Sequence, residues 1–303
     1  MKSLEMVISY ACNNACVFCL NKHNRHLFIK GHPIEFLKNK IDFAAKEGFE
    51  KLTITGGEPL LSSNFFNVIN YAKQKGIKRL EIQSNGQLLS DEVLVRKLVK
   101  YEPIGFLISL HFPNAKLYKK YELSDGFDKT INGIKNLIKN NLNVTINTVI
   151  MKPNLPHLEE IVELLRKLKI KRMQYRFING VDVVDEYEKF VPRYSKVVKL
   201  IRKIIKSTSD IQITVNEIPI CILGEQFQNH LAPVYGPERL ITSLSENFID
   251  KTIDNQSSRK KFFVYPNCEG CIYRSNCLGI RRLYFENYGG GELKPILTQY
   301  GYA

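Results

Sequence analysis

The chain has 303 residues, 44% of them hydrophobic, and a mean hydropathy of −0.20, which allows a sizeable core in one large domain or in a domain with an appendage. There is no run of about eighteen apolar residues, and the opening MKSLEMVISYACNN lacks an apolar signal region and a cleavage site, which excludes a spanning helix and points to a cytoplasmic protein with no membrane partner. A net charge of +14 admits nucleic acid, but the lysines fall in helix-like stretches (AKQKGIKR, LRKLKIKR, SRKK) without Gly/aromatic interleaving, so solvated helix faces are favoured over a nucleic-acid surface.

Along the chain, β-rich runs alternate with helical periodicity. The predicted strands are MVIS (6–9), KLTIT (51–55), RLEIQS (79–84), GFLISL (105–110), NVTINTVI (143–150), RMQYRF (172–177) and IQITV (211–215). The predicted helices are 34–47, 64–75, 91–100, 127–140, 158–168 and 194–206, with Ser63 and Ser90 placed as N-caps and Gly48, Gly76, Asn140 and Asn141 as stops. Strands that regularly alternate with helices describe βα units and a parallel α/β sheet that closes wholly or partly into a barrel, whose active site lies at the C-terminal ends of the strands.

Polar residues and glycines sit where each strand ends. After the first strand comes ACNNACVFCL, with Cys12, Cys16 and Cys19; after the second, Gly56, Gly57, Glu58 and Pro59; after the third, Asn85 and Gly86. Ser109 and His111 end the fourth strand, and Asn147 lies in the fifth. In a reducing compartment clustered cysteines are metal ligands or catalysts rather than disulfides. An iron–sulfur cluster ordinarily takes four protein ligands, as does a structural zinc, so three thiols imply an open corner. The paired glycines would let the main chain approach a ligand closely, and the Glu58 carboxylate would accept a hydrogen bond from an ammonium. In the following loop, His23, Arg25, His26 and His32 would either cover such a cluster or serve as surface polar groups; no zinc pairing is completed there.

At these residues the chain resembles the radical S-adenosylmethionine (SAM) enzymes. Cys12, Cys16 and Cys19 match the family's C-x3-C-x2-C, with Phe18 as the aromatic before the last cysteine, and Gly56 to Pro59 match its GGEP. The resemblance implies a partial (β/α)6 TIM-like barrel over residues 1–215 and a [4Fe–4S] cluster on the three cysteines. SAM would chelate the fourth iron and be cleaved reductively to a 5′-deoxyadenosyl radical that abstracts a substrate hydrogen. It implies further that Gly56, Gly57 and Glu58 hold the methionine ammonium, that Phe18 lies near the adenine, and that Asn85, Ser109 and Asn147 contact ribose or carboxylate. An electron donor such as flavodoxin or ferredoxin would be the redox partner.

Beyond the barrel lie Cys221 in PICILG and Cys268, Cys271 and Cys277 as C-x2-C-x5-C. Four thiols in two segments have the arithmetic of a full metal site, with zinc as the structural alternative. The continuation CLGIRRLYFENYGGGELKP resembles the auxiliary-cluster extensions (twitch or SPASM-like) of radical SAM enzymes, which implies a small extension over 216–303 and a second, auxiliary [4Fe–4S] cluster on those four cysteines. If Cys221 is instead a buried apolar residue, that cluster has an open iron, as in the family's molybdopterin-precursor cyclases, whose C-terminal cysteine spacing is longer. The segment from 225 to 266 has little periodicity and is expected to wrap across the barrel mouth.

Three substrate classes remain open. Gly126, Phe127, Thr130, Gly133 and Ile134 form a G-x-F-x-x-T-x-x-G-I run that resembles peptide-modifying members, which implies an oxidoreductase acting as a peptide maturase, served by a separate peptide-recognition protein because the first strand begins near residue 4. The alternative is cofactor, nucleoside or sugar biosynthesis on a small molecule, or tRNA modification, for which the charge leaves room.

Overall fold

A computed structural model describes residues 2–22, 30–178, 186–232, 239–242, 262–264 and 266–297. His23, Arg25, His26 and most of the segment expected to cross the mouth lie outside them. The elements run β1 (Ser3–Ser9), α1 (Ile34–Lys46), β2 (Lys51–Gly56), α2 (Phe65–Gln74), β3 (Arg79–Ser84), α3 (Glu92–Val99), β4 (Ile104–Ser109), α4 (Ala115–Glu122), α5 (Phe127–Lys139) and β5 (Asn143–Ile150). They continue with α6 (Leu158–Lys167), β6 (Arg172–Phe177), α7 (Tyr187–Phe190), α8 (Tyr194–Ser207), β7 (Gln212–Asn216), α9 (Ile220–Leu223), β8 (Arg239–Thr242), β9 (Phe262–Phe263) and β10 (Ile280–Arg281), and a C-terminal helix spans Arg282–Tyr288.

The seven parallel strands lie in sequential order, and β8, which lies beyond residue 216, adds in parallel beside β1. This is the expected α/β partial barrel, and its seven consecutive strands are the seven predicted ones. Alternation along each strand separates two environments. Leu80 and Ile82, Phe106 and Ile108, Val144 and Ile146, and Met173 and Tyr175 are buried beneath the helices. The partly exposed residues between them are largely polar and line the inner wall. Helices meet the sheet through apolar stripes at three- and four-residue spacing: Leu37, Ile41 and Ala44 on α1; Val197, Val198, Ile201, Ile204 and Ile205 on α8. Each large side chain so buried contributes about 2 kcal/mol.

Two caps differ from expectation by one residue. Residues Leu88–Ser90 form a 3-10 turn, so Asp91, extended, caps α3 by accepting from Val93 N at 2.8 Å, and Asn64 occupies the cap position of α2. The stops hold: Gly48, Gly76 and Asn141 all have positive φ. The sequence reading missed α4, whose residues AKLYKKYE carry charge at half their positions.

The region after β7 is bound to the barrel by a buried aromatic and polar joint. Phe177 stacks on Tyr194, and Tyr284 packs tilted against Tyr194, with centroids 4.3 and 4.4 Å apart. The Tyr284 hydroxyl accepts from Tyr194 N at 3.0 Å and donates to Glu292, which accepts from Ser195 N at 2.7 Å. Arg281 makes a bidentate pair with Glu217, only 12% and 16% exposed.

Candidate active site at the strand ends

The cysteine loop is held on three sides by main-chain contacts. From below, Gly57 N donates to Ser9 O at 2.8 Å and Glu58 N to Ala11 O at 2.7 Å. A Cβ on Gly56 would stand 2.1 Å from Ser9 O, and one on Gly57 would stand 2.2 Å from Ala11 O and 2.6 Å from Tyr10 O. The close approach that requires these glycines is therefore to the backbone of the cysteine loop itself. From the side, Ala15 N and Val17 N donate to Glu122 O and Tyr121 O at 3.0 Å, which docks the loop on the end of α4. At its far end the Asn21 amide donates to Gly56 O at 2.9 Å.

The loop's two asparagines extend this clamp inward. Asn14 is buried and donates to the Tyr118 hydroxyl and to Glu122 Oε2, both at 2.9 Å; the Gln87 amide donates to Asn14 Oδ1. Asn13 donates to Gln87 Oε1 at 3.0 Å. Burial pushes the Glu122 carboxyl well above the usual carboxylate range. Sequence reading missed Asn14, Gln87, Tyr118 and Glu122; the adjacent asparagines inside the cysteine motif were the available signal.

Glu58 is fully buried, and both its oxygens are engaged. Oε1 accepts from Leu60 N (3.1 Å), Oε2 from Asn85 N (2.8 Å), and the Ser84 hydroxyl lies 2.9 and 3.0 Å from the two. Burial raises its pKa to about 7 against those hydrogen bonds. The side chain thus pins the β2 turn to the end of β3. Asn85 Nδ2 in turn donates to Asn13 Oδ1 at 2.7 Å and lies 3.9 Å from Cys12 Sγ.

The run from Gly126 to Ile134 supports the same turn. Gly126 leaves room for the Gln87 amide, the Thr130 hydroxyl donates to Asn85 O at 2.9 Å, and a Cβ on Gly133 would stand 2.2 Å from Gly86 O. Its glycines and threonine are thus accounted for by packing of α5 beneath the β3 turn.

Phe18 is buried and meets His111 edge-on at 5.1 Å. His111 Nδ1 accepts from Val149 N at 3.1 Å, and burial lowers its pKa to about 3, so the ring is neutral. Ser109 and Asn147 are register partners on the inner wall, and Asn147 Oδ1 accepts from Gln174 Nε2 at 3.1 Å. His32 is buried in the core and stacks on Phe36 at 4.6 Å.

The thiols have surroundings suited to anionic sulfur. Asn14 N and Asn21 N lie 3.4 Å from Cys12 Sγ and Cys19 Sγ as donors, and all three cysteines keep part of their surface open. In the second set, Gly279 N donates to Cys277 Sγ (3.3 Å), Ile296 N to Cys271 Sγ (3.4 Å), and the Lys294 amide to Cys221. Cys221 sits on α9, whose last carbonyls are held by Arg202. Burial pushes its thiol up to about 11, with added repulsion from Cys277, Cys268 and Cys271, so four cysteines from two segments lie within electrostatic reach of one another. Among the described residues, no three Cys, His, Asp or Glu side chains are drawn tightly enough together to hold a single metal ion.

A partial parallel barrel with three cysteines on its first strand-end loop, clamped by the turn after the second strand, is the architecture of one enzyme superfamily. The chain belongs to the Radical SAM superfamily, whose family model matches residues 6–165. Membership implies a [4Fe–4S] cluster and SAM, and the half-open thiols with amide donors fit such a group. Among curated relatives, a probable GTP 3′,8-cyclase of Sulfurisphaera tokodaii is 24% identical over 282 residues, 91% of this chain and 82% of that one. Another, of Saccharolobus solfataricus, is 28% identical over 215 residues, 67% and 68% of the two chains. Among solved structures, Streptococcus suis SuiB bound to S-adenosylmethionine superposes with TM-score 0.69 at 17% identity, covering 96% of this chain and 75% of SuiB. The anSMEcpe protein with bound AdoMet superposes with TM-score 0.67 at 15% identity, covering 93% and 90%. These two likenesses establish the fold alone. Among the described residues no helix is long and apolar enough to cross a membrane.

Proposed function

We propose that this protein is a radical SAM oxidoreductase with two iron–sulfur clusters that oxidatively modifies a peptide. Cys12, Cys16 and Cys19 would hold the cluster that binds SAM, and Cys221, Cys268, Cys271 and Cys277 a second one without an open iron. When bound, the first cluster and SAM supply a carbon-centred radical that takes a hydrogen from the substrate. The chain's own part is to fix the cysteine loop through Gly57, Glu58 and Asn14, to offer polar groups from β3 to β5 to the cofactor, and to keep His111 neutral beside Phe18. The observation that carries the two-cluster reading is the approach of Cys221 to the C-terminal trio. Zinc on the same four thiols is the structural alternative, and metal analysis separates the two.

For the substrate, support comes from SuiB, crystallised bound to its precursor peptide SuiA, and anSMEcpe, crystallised with a Cp18Cys peptide; both resemble this chain over more than nine-tenths of its length. The cyclase relatives favour a second reading, rearrangement of a purine nucleotide. The test is anaerobic iron and sulfide quantification on reconstituted protein, followed by 5′-deoxyadenosine measurement with SAM and reductant. About eight irons per chain support two clusters, whereas about four with one zinc sink the auxiliary cluster. Absence of 5′-deoxyadenosine sinks the whole assignment, and product formed from GTP alone selects the nucleotide reading.

A further inference from the structure

Gln87, in the turn after β3, touches both asparagines of the cysteine loop. Its Oε1 accepts from Asn13 Nδ2 at 3.0 Å. Its Nε2 donates to Asn14 Oδ1 and reaches the Tyr118 hydroxyl at 3.3 Å and Ser124 Oγ at 3.2 Å. The side chain is buried, and the chain is shaped around it: a Cβ on Gly126 would stand 2.1 Å from its amide carbon and nitrogen. The φ of Gly126 is −85°, which any residue adopts, so what requires this glycine is the space that the amide fills.

The amides around Gln87 fix one another's orientation. Asn14 turns its NH2 to the Glu122 carboxyl and the Tyr118 hydroxyl, which leaves its Oδ1 facing the NH2 of Gln87. Gln87 Oε1 must then face the NH2 of Asn13, whose own Oδ1 accepts from Asn85 Nδ2 at 2.7 Å. The Gln87 N–H closes the ring by donating to Asn85 Oδ1 at 3.0 Å. An amide NH2 has no acceptor and an amide oxygen no proton, so turning any one of these groups over breaks its neighbours' bonds. Two members of the ring stand at one sulfur: Asn14 N lies 3.4 Å and Asn85 Nδ2 3.9 Å from Cys12 Sγ.

Resting on the reading that Cys12 holds an iron–sulfur cluster, we propose that Gln87 is a positioning residue: it keeps these N–H groups on the Cys12 sulfur and thereby sets the cluster's reduction potential. Reduction adds negative charge to the sulfurs, so an N–H aimed at sulfur stabilises the reduced form more than the oxidised one. Partners one layer out that orient such donors tune the site through them. Without Gln87, Asn14 keeps its anchors on α4 but its Oδ1 loses a donor, and Asn13 loses its acceptor. The peptide planes of the loop relax, the sulfur loses donors, and the potential falls. The step concerned is the uptake of one electron from an external reductant, with no change of covalent bonding in the protein.

The test is an anaerobic redox titration, read by electron paramagnetic resonance, of reconstituted wild type and its Gln87→Leu, Gly126→Ala and Ser124→Ala variants. Iron content and far-UV circular dichroism are recorded for each. The signal that changes when SAM is added reports the cluster on Cys12, Cys16 and Cys19 and separates it from a second one. Gln87→Leu should lower the ratio of reduced to oxidised cluster about tenfold at a fixed applied potential, a shift of about 59 mV to more negative values for one electron. Gly126→Ala keeps every hydrogen-bonding group but pushes the Gln87 amide aside, and should shift the potential the same way. Ser124→Ala disturbs the same turn while leaving both asparagine contacts, and its ratio should stay within about twofold of wild type. Ratios within about twofold of wild type in both Gln87→Leu and Gly126→Ala overturn the positioning role. An equal shift in all three variants overturns it too, being the mark of a merely loosened turn. If Gln87→Leu takes up no iron, Gly126→Ala decides alone. A wild type without a SAM-sensitive signal fails the cofactor reading itself, and the proposal with it.

Discussion

Replacing Glu58 by Gln tests the turn that holds the cysteine loop, and the structure fixes both the size of the effect and its dependence on pH. Both carboxyl oxygens accept a backbone N–H, from Leu60 and from Asn85, so a Gln NH2 must face one of those donors whichever way it is turned. Leaving one buried donor unpaired costs about 1–3 kcal/mol. Against this stands the cost of the buried charge. The folded pKa is raised to about 7 from 4.5, and 1.36 kcal/mol per unit makes that about 3 kcal/mol. A carboxyl whose folded pKa is above its unfolded value holds its proton more tightly in the folded state. Its stabilising contribution is complete below about 4.5 and lost as pH rises through about 7. Glu58→Gln should therefore destabilise metal-free protein by about 1–3 kcal/mol at pH 5, and the deficit should shrink toward zero by about pH 8. Urea denaturation followed by circular dichroism at the two pH values measures it. A deficit that is unchanged or larger at pH 8 would refute the assignment of Glu58 as the buried, proton-holding clamp.

Cys16→Ala should lower the iron content by about four per chain and eliminate 5′-deoxyadenosine formation, both read on anaerobically reconstituted protein. Arg281→Ala leaves the Glu217 carboxylate buried and unpaired and should cost about 3 kcal/mol in a urea titration; a cost under about 1 kcal/mol would mean that the pair is solvated. His111 should show no imidazole titration by nitrogen NMR between pH 5 and 8. Its folded pKa, lowered to about 3, is below the unfolded 6.5, so its contribution to stability is present above about 6.5 and lost as pH falls.

Much of this protein follows from local pattern. The period-two alternation in RLEIQS, NVTINTVI and RMQYRF places three strands at their observed ends, and the glycines after α1 and α2 stop those helices because their positive φ suits a residue without Cβ. The three clustered cysteines and GGEP likewise place the candidate site on the strand-end rim, since parallel strands carry their following loops to one end. What local pattern does not carry is the identity of a residue's partner. That Gly56 and Gly57 face the cysteine loop's own backbone, that Glu58 spends its oxygens on Ser84 and Asn85, and that α5 braces the Asn85 turn depend on residues 26 to 47 positions away. Only the folded chain brings Cys221 to the trio some fifty residues later, and only there does Gln87 meet both asparagines of the cysteine loop. Periodicity reports which face of an element is buried, whereas pairing is a property of three-dimensional neighbours, and the chemistry of this rim is decided by pairing.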